Sequence, residues 1–191
     1  MKILIFCLVI LLQAAIFGQT GEKALLLIDI QEFYFAEGKN RLKNPEEAAE
    51  KAGLLLKKSR EEGIEIIHIK HKSKSLSEIN KRVQPLETEK VFEKTEVSCF
   101  NGTELQSYLK SKNVKEIIIC GMMTHMCVEA ATRAGYDLGY KITLVSDACT
   151  TRNLKYGKEV IKAKDVHNST LATLRAYAKI IDTETFLKGN K

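Results

Sequence analysis

Strands alternating with helices, two apolar strands that each end in an acid, and one strongly marked amphipathic helix predict an α/β fold. It has three layers: a central, mostly parallel sheet flanked by helices on both faces, of the Rossmann-like kind. The two strands are "KALLLIDI" (23–30) and "KITLVSDA" (141–148), continuous apolar runs suited to burial on both faces of a parallel sheet. The helix is "NPEEAAEKAGLLLKKSREEG" (44–63), with Asn44 as cap, Pro45 at its first position, acids in the first turn, bases later and Gly63 as the stop.

The remaining elements follow in order. "IEIIHIK" (64–70) reads as a second strand, a short helix spans about 103–111, and "VKEIIIC" (114–120) is a third strand. A helix runs from Cys127 to about Leu138 and is closed by Gly139; after the 141–148 strand come a helix at 165–178 and a last strand, "KIID". Only 71–102 lacks a period, and it reads as a long loop with at most one short strand; loops of that length are often functional.

The chain has 191 residues. Lys2, the apolar run "ILIFCLVILLQAAIF" and Gly18 read as a secretory signal over 1–18, which leaves one domain over 19–191 and predicts an exported protein. The run is shorter than the roughly 20 residues that span a bilayer and contains Gln13, so no stable membrane anchor is expected. A net charge of +6 is spread over interleaved Lys, Arg and Glu with no basic stripe studded by aromatics, which argues against nucleic acid. Five cysteines, with no CxxC pair, make no disulfide framework. Thiols in an exported chain therefore need another explanation.

Ligands of parallel sheets bind beyond the carboxyl ends of the strands, where Asp29, Cys127 and Asp147 fall. A cysteine in the first turn of a helix meets unpaired N–H groups and the positive end of the dipole, which favours thiolate. Position alone leaves Cys127 open between nucleophile and small core hydrophobe, Asp29 between base and turn residue, and Lys94 between site cation and solvated charge.

The motifs taken together resemble the isochorismatase-like cysteine hydrolase superfamily, which includes nicotinamidases and N-carbamoylsarcosine amidases. They are the aspartate of "LLIDIQ", the lysine of "KTEVSCF", the cysteine of "GMMTHMCV", and "LVSDACTTR" after them. The resemblance spans the whole mature chain and implies an isochorismatase-like fold and a homo-oligomer. It implies a triad in which Cys127 is the nucleophile, Asp29 the base and Lys94 the cation between them. It also implies a cis peptide at Met122–Met123, with the N–H groups of Met123 and Cys127 forming an oxyanion hole, and Thr124 bracing the turn beside substrate. The expected reaction opens a small amide, ureide or related C–N bond through a thioester, with no cofactor. For that chemistry burial must raise Asp29 while Lys94 and the helix end lower the thiol.

Gln31 and Tyr34, just after Asp29, are candidate substrate contacts, with Phe33 as a further aromatic wall. His125 and His167 could each contact substrate or a neighbouring subunit, but the reading preferred for both is a hydrogen-bonded structural histidine. Nicotinamidases carry a metal site after the second strand, but "IIHIKHKSKS" offers only His68 and His71, which point to opposite faces of a strand, so no metal is expected. Two other readings remain open: a nicotinamidase, and a non-catalytic or redox module in which Cys127 is oxidised or pairs with Cys120 or Cys149.

Overall fold

The computed structural model describes residues 21–36 and 40–189. The signal over 1–18 lies outside them. In chain order the strands are β1 (Lys23–Ile28), β2 (Glu65–His71), β3 (Lys90–Lys94), β4 (Glu116–Met122), β5 (Lys141–Thr150), β6 (Leu154–Tyr156), β7 (Glu159–Ile161) and β8 (Lys179–Ile181). The α-helices are α1 (Pro45–Glu61), α2 (Leu105–Ser111), α3 (Glu129–Asp137), α4 (Ala163–Leu174) and α5 (Thr183–Lys188).

Six strands form one sheet in the order β3-β2-β1-β4-β5-β8, every neighbouring pair parallel. The apolar runs explain the centre: Ala24 to Ile28 of β1 and Ile117 to Ile119 of β4 are all buried. Helix α1 packs against β5 and α5, and α3 packs against β5 and α4, which gives the three layers expected. Among the described residues no helix is long and apolar enough to cross a membrane.

Chain order reverses between β1 and β4, and their carboxyl ends meet closely. Gly121 lies opposite Ile28, and a Cβ added to it would stand 2.1 Å from the Ile28 carbonyl oxygen, with φ at +130°. The glycine of "IIICGMM" is there because β4 passes that close to the residue preceding Asp29.

Three sequence expectations change. Asn44 does not cap α1 with its side chain: its backbone is left-handed, φ 47°, and its amide nitrogen donates instead to Glu47 Oε2 at 3.3 Å. The 71–102 segment supplies the edge strand β3, the one short strand allowed for there, whereas residues 154–161 form a β6–β7 hairpin that the sequence reading did not contain. The helix after β4 starts late: Thr124–Val128 is a π turn and α3 begins only at Glu129.

Candidate active site

Three separate devices bring Asp29, Lys94 and Cys127 together. Asp29 follows β1 in a left-handed conformation, φ 49°, which turns the chain out of the sheet after its N–H has bonded the Ile69 carbonyl at 3.0 Å. Lys94 ends edge strand β3, where burial alternates so that Phe92 and Lys94 face inward. Cys127 sits in the π turn after β4, 6% exposed. Lys94 Nζ lies 2.8 Å from Asp29 Oδ2 and 3.3 Å from Cys127 Sγ, and the side chains of Lys94 and Asp29 are fully buried.

The electrostatics differ from the sequence expectation in one respect. Burial raises Asp29 above the ordinary carboxylate range against the pull of Lys94, as proton acceptance requires. Burial opposes the Lys94 charge, but Asp29 and Cys127 outweigh it and hold the ammonium charged. Cys127, however, is not lowered: burial and then the Asp29 charge push it up to about 12, more than Lys94 offsets. Cys127 also lies inside a π turn and not at the α-helix start the sequence predicted. Charge balance explains the resting state, since one cation supports one anion, and Asp29 and Cys127 compete for a single proton.

Of the other predicted residues, the Met122–Met123 peptide is cis. Thr124 is buried and its hydroxyl meets His167 Nδ1 at 2.9 Å, while His125 Nδ1 meets Thr151 Oγ1 at 2.5 Å, so both histidines are hydrogen-bonded as expected. Tyr34 is 8% exposed, stacks edge-on with Phe33 at 4.3 Å, and is raised by burial and then by the charges of Asp29 and Cys127.

Gln31 is a correction: its amide nitrogen donates to the His71 and Ser77 carbonyls at 3.0 and 2.7 Å and its oxygen accepts the His71 N–H at 2.7 Å. Both of its amide protons are committed to the backbone and it is fully buried, so it holds protein and not substrate. Asp147, at the end of an apolar run, instead accepts from Thr183 N and Oγ1, both at 2.8 Å, and so anchors α5.

Two residues of the site were not singled out for it by the sequence. His71 Nδ1 lies 3.2 Å from Lys94 Nζ. Its signal was position, at the carboxyl end of β2, the same criterion that selected Asp29. Arg152, partly buried and without an ion pair among the described residues, is close enough for its charge to act on Tyr34 and His125. His68 does face away, into a buried cluster where its Nε2 meets Glu89 Oε2 at 2.9 Å. Among the described residues no three His, Cys, Asp or Glu side chains are grouped to hold a metal.

Cys99, Cys120, Cys127 and Cys149 are all free and buried. Burial pushes Cys99 and Cys149 up to about 12 and Cys120 well above its usual range, and none of these three sulfurs is bridged to another.

The isochorismatase domain family matches residues 23–185. The isochorismatase family protein YddQ of Bacillus subtilis (strain 168) is 39% identical over 177 residues, covering 86% of this chain and 98% of that one. The crystal structure of an isochorismatase hydrolase from Oleispira antarctica superposes with a TM-score of 0.85 at 34% identity, covering 88% of this chain and 97% of that one. Over a shorter stretch, 38% of this chain and 29% of the other, the ureidoacrylate amidohydrolase RutB of Acinetobacter baylyi is 33% identical. A parallel sheet of this order, its site at the chain reversal and a family match over almost every described residue lead to one conclusion: this chain belongs to the isochorismatase-like cysteine hydrolase superfamily.

Proposed function

We propose that this protein hydrolyses a small amide, ureide or related C–N bond through a thioester on Cys127, with Asp29, Lys94 and Cys127 as its catalytic triad. The observation that carries the reading is the contact of one buried ammonium, Lys94, with both the carboxylate of Asp29 and the sulfur of Cys127. An ammonium so placed stabilises negative charge on either neighbour, so a proton can pass from sulfur to carboxylate without creating a net charge in a dry site.

The cycle balances as follows. Asp29 takes the Cys127 proton as sulfur attacks the carbonyl carbon, and the oxygen that becomes negative is met by the N–H groups of Met123 and Cys127. The C–N bond breaks, the departing nitrogen takes the proton from Asp29, and an acyl thioester remains. Asp29 then removes a proton from water, the hydroxide attacks the thioester, the C–S bond breaks to release the acid, and the proton on Asp29 returns to sulfur. Tyr34 walls the pocket, and the guanidinium of Arg152, without an ion pair among the described residues, favours substrates whose remote end is anionic.

The kinship to a ureidoacrylate amidohydrolase supports the choice of C–N bond. Ammonia release across a panel of neutral and anionic amides and ureides, with wild type beside Cys127→Ala, tests the reading. A loss of about a thousandfold or more in the variant is expected; equal rates would refute it. Export through residues 1–18 and assembly as a homo-oligomer belong to the same proposal, and the mass of the mature N-terminus and the solution mass check them.

A further inference from the structure

Lys94 has more acceptors around it than protons to give. Its Nζ lies 2.8 Å from Asp29 Oδ2, 3.1 Å from the Glu96 carbonyl, 3.2 Å from His71 Nδ1 and 3.3 Å from Cys127 Sγ. An ammonium carries three N–H groups and no acceptor. Nδ1 of His71 must therefore accept, which places the ring proton on Nε2.

His71 is held for this purpose from an unexpected direction. Strand β1 pairs with β2 only as far as Ile28 opposite Ile69, so His71 has no strand neighbour on that side. The Gln31 side chain takes that place, accepting the His71 N–H at 2.7 Å and donating to its carbonyl at 3.0 Å. On the other side His71 lies in register with Lys94 itself. Backbone and ring are thus both fixed against the lysine.

We infer that His71 is a positioning residue for the reaction proposed above: with the Glu96 carbonyl it takes two Lys94 protons and leaves one to be shared between Asp29 and Cys127. The inference rests on the role given to Cys127 there. While Asp29 is ionised the remaining N–H points to the carboxylate; as the thiol proton moves to Asp29, the same N–H turns to sulfur. Without the His71 acceptor a second N–H is freed to the carboxylate, which is held ionised and accepts the thiol proton poorly. Cys127 would then react more slowly although every triad residue remained.

The test is the rate of iodoacetamide alkylation of the Cys127 peptide at fixed, near-neutral pH in wild type, His71→Leu and His71→Asn, with the thermal unfolding midpoint measured beside it. Asparagine puts an oxygen acceptor near the place of Nδ1. The expected result is a slowing of about tenfold in His71→Leu, the worth of one hydrogen bond in a buried site, with recovery to within about threefold in His71→Asn. On any amide found to be hydrolysed, kcat should fall with KM little changed.

Wild-type alkylation in a folded His71→Leu protein would overturn the inference, and so would a His71→Asn protein as slow as His71→Leu. Alkylation needs no substrate. Hydrolysis surviving in Cys127→Ala would instead remove the proposed reaction, so the two failures are distinguishable.

Discussion

Replacing Lys94 with methionine keeps much of the buried length and removes the cation. It leaves Asp29, fully buried, with a charge that nothing offsets at contact distance. Removing one member of a buried ion pair costs about 3–5 kcal/mol, which in a domain of this size lowers Tm by roughly 6–20 °C.

The loss must depend on pH in a definite direction. Asp29 is already raised above its unfolded value, with burial the leading cause, and losing Lys94 raises it further. The folded state then binds more protons than the unfolded one, so stability falls as pH rises from about 4, the unfolded value, through the raised folded one. Urea unfolding of wild type and Lys94→Met at pH 4.5 and 7.5 should show the larger difference at pH 7.5. Adding Asp29→Asn to Lys94→Met should recover about 2 kcal/mol or more at pH 7.5, because the unpaired charge goes with it. A loss below about 1 kcal/mol at pH 7.5, or a double variant no more stable than Lys94→Met, would refute the claim that this pair is charged and buried.

Glu89 should govern the acid limb: burial raises it, but Arg60, the Leu86 N–H and His68 together outweigh that and hold it at about 2. That stability is present above its ordinary range near 4.5 and is lost as pH falls toward 2. Glu89→Gln should cost about 2 kcal/mol at pH 7 in urea melts, allowing for the partly exposed Arg60, and almost nothing at pH 2. Gly121→Ala should cost about 3 kcal/mol or more, since its Cβ would meet the Ile28 carbonyl at 2.1 Å; a Tm unchanged from wild type would contradict the close approach.

Much of this was legible in the chain because burial on both faces of a parallel strand leaves a continuous apolar run, as in 23–28 and 116–122. Residues whose position follows from topology, Asp29 after β1 and Cys127 after β4, were legible for the same reason. The hairpin was not. Its strands have three residues each and both faces are largely exposed, so no apolar pattern marks them; the one local signal was Gly157 at φ +60° in a two-residue turn.

Gln31 was misread because sequence shows an amide near a site but not that a strand ends early and needs one to replace its partner. The direction in which the Cys127 thiol is shifted was misread for a related reason. Whether a thiol lies at an α-helix start or in a π turn depends on hydrogen-bond register, which the motif does not encode. Burial beside a carboxylate then outweighs the cation.

The most direct test of the thioester uses hydroxylamine as a competitor with water, on several amides that share one acyl group and differ in leaving amine. A common acyl-enzyme on Cys127 predicts that hydroxamate and acid form in a ratio independent of the leaving amine, with neither product from Cys127→Ala. A ratio that changes with the leaving amine, or acid formed by Cys127→Ala at the wild-type rate, would contradict the account.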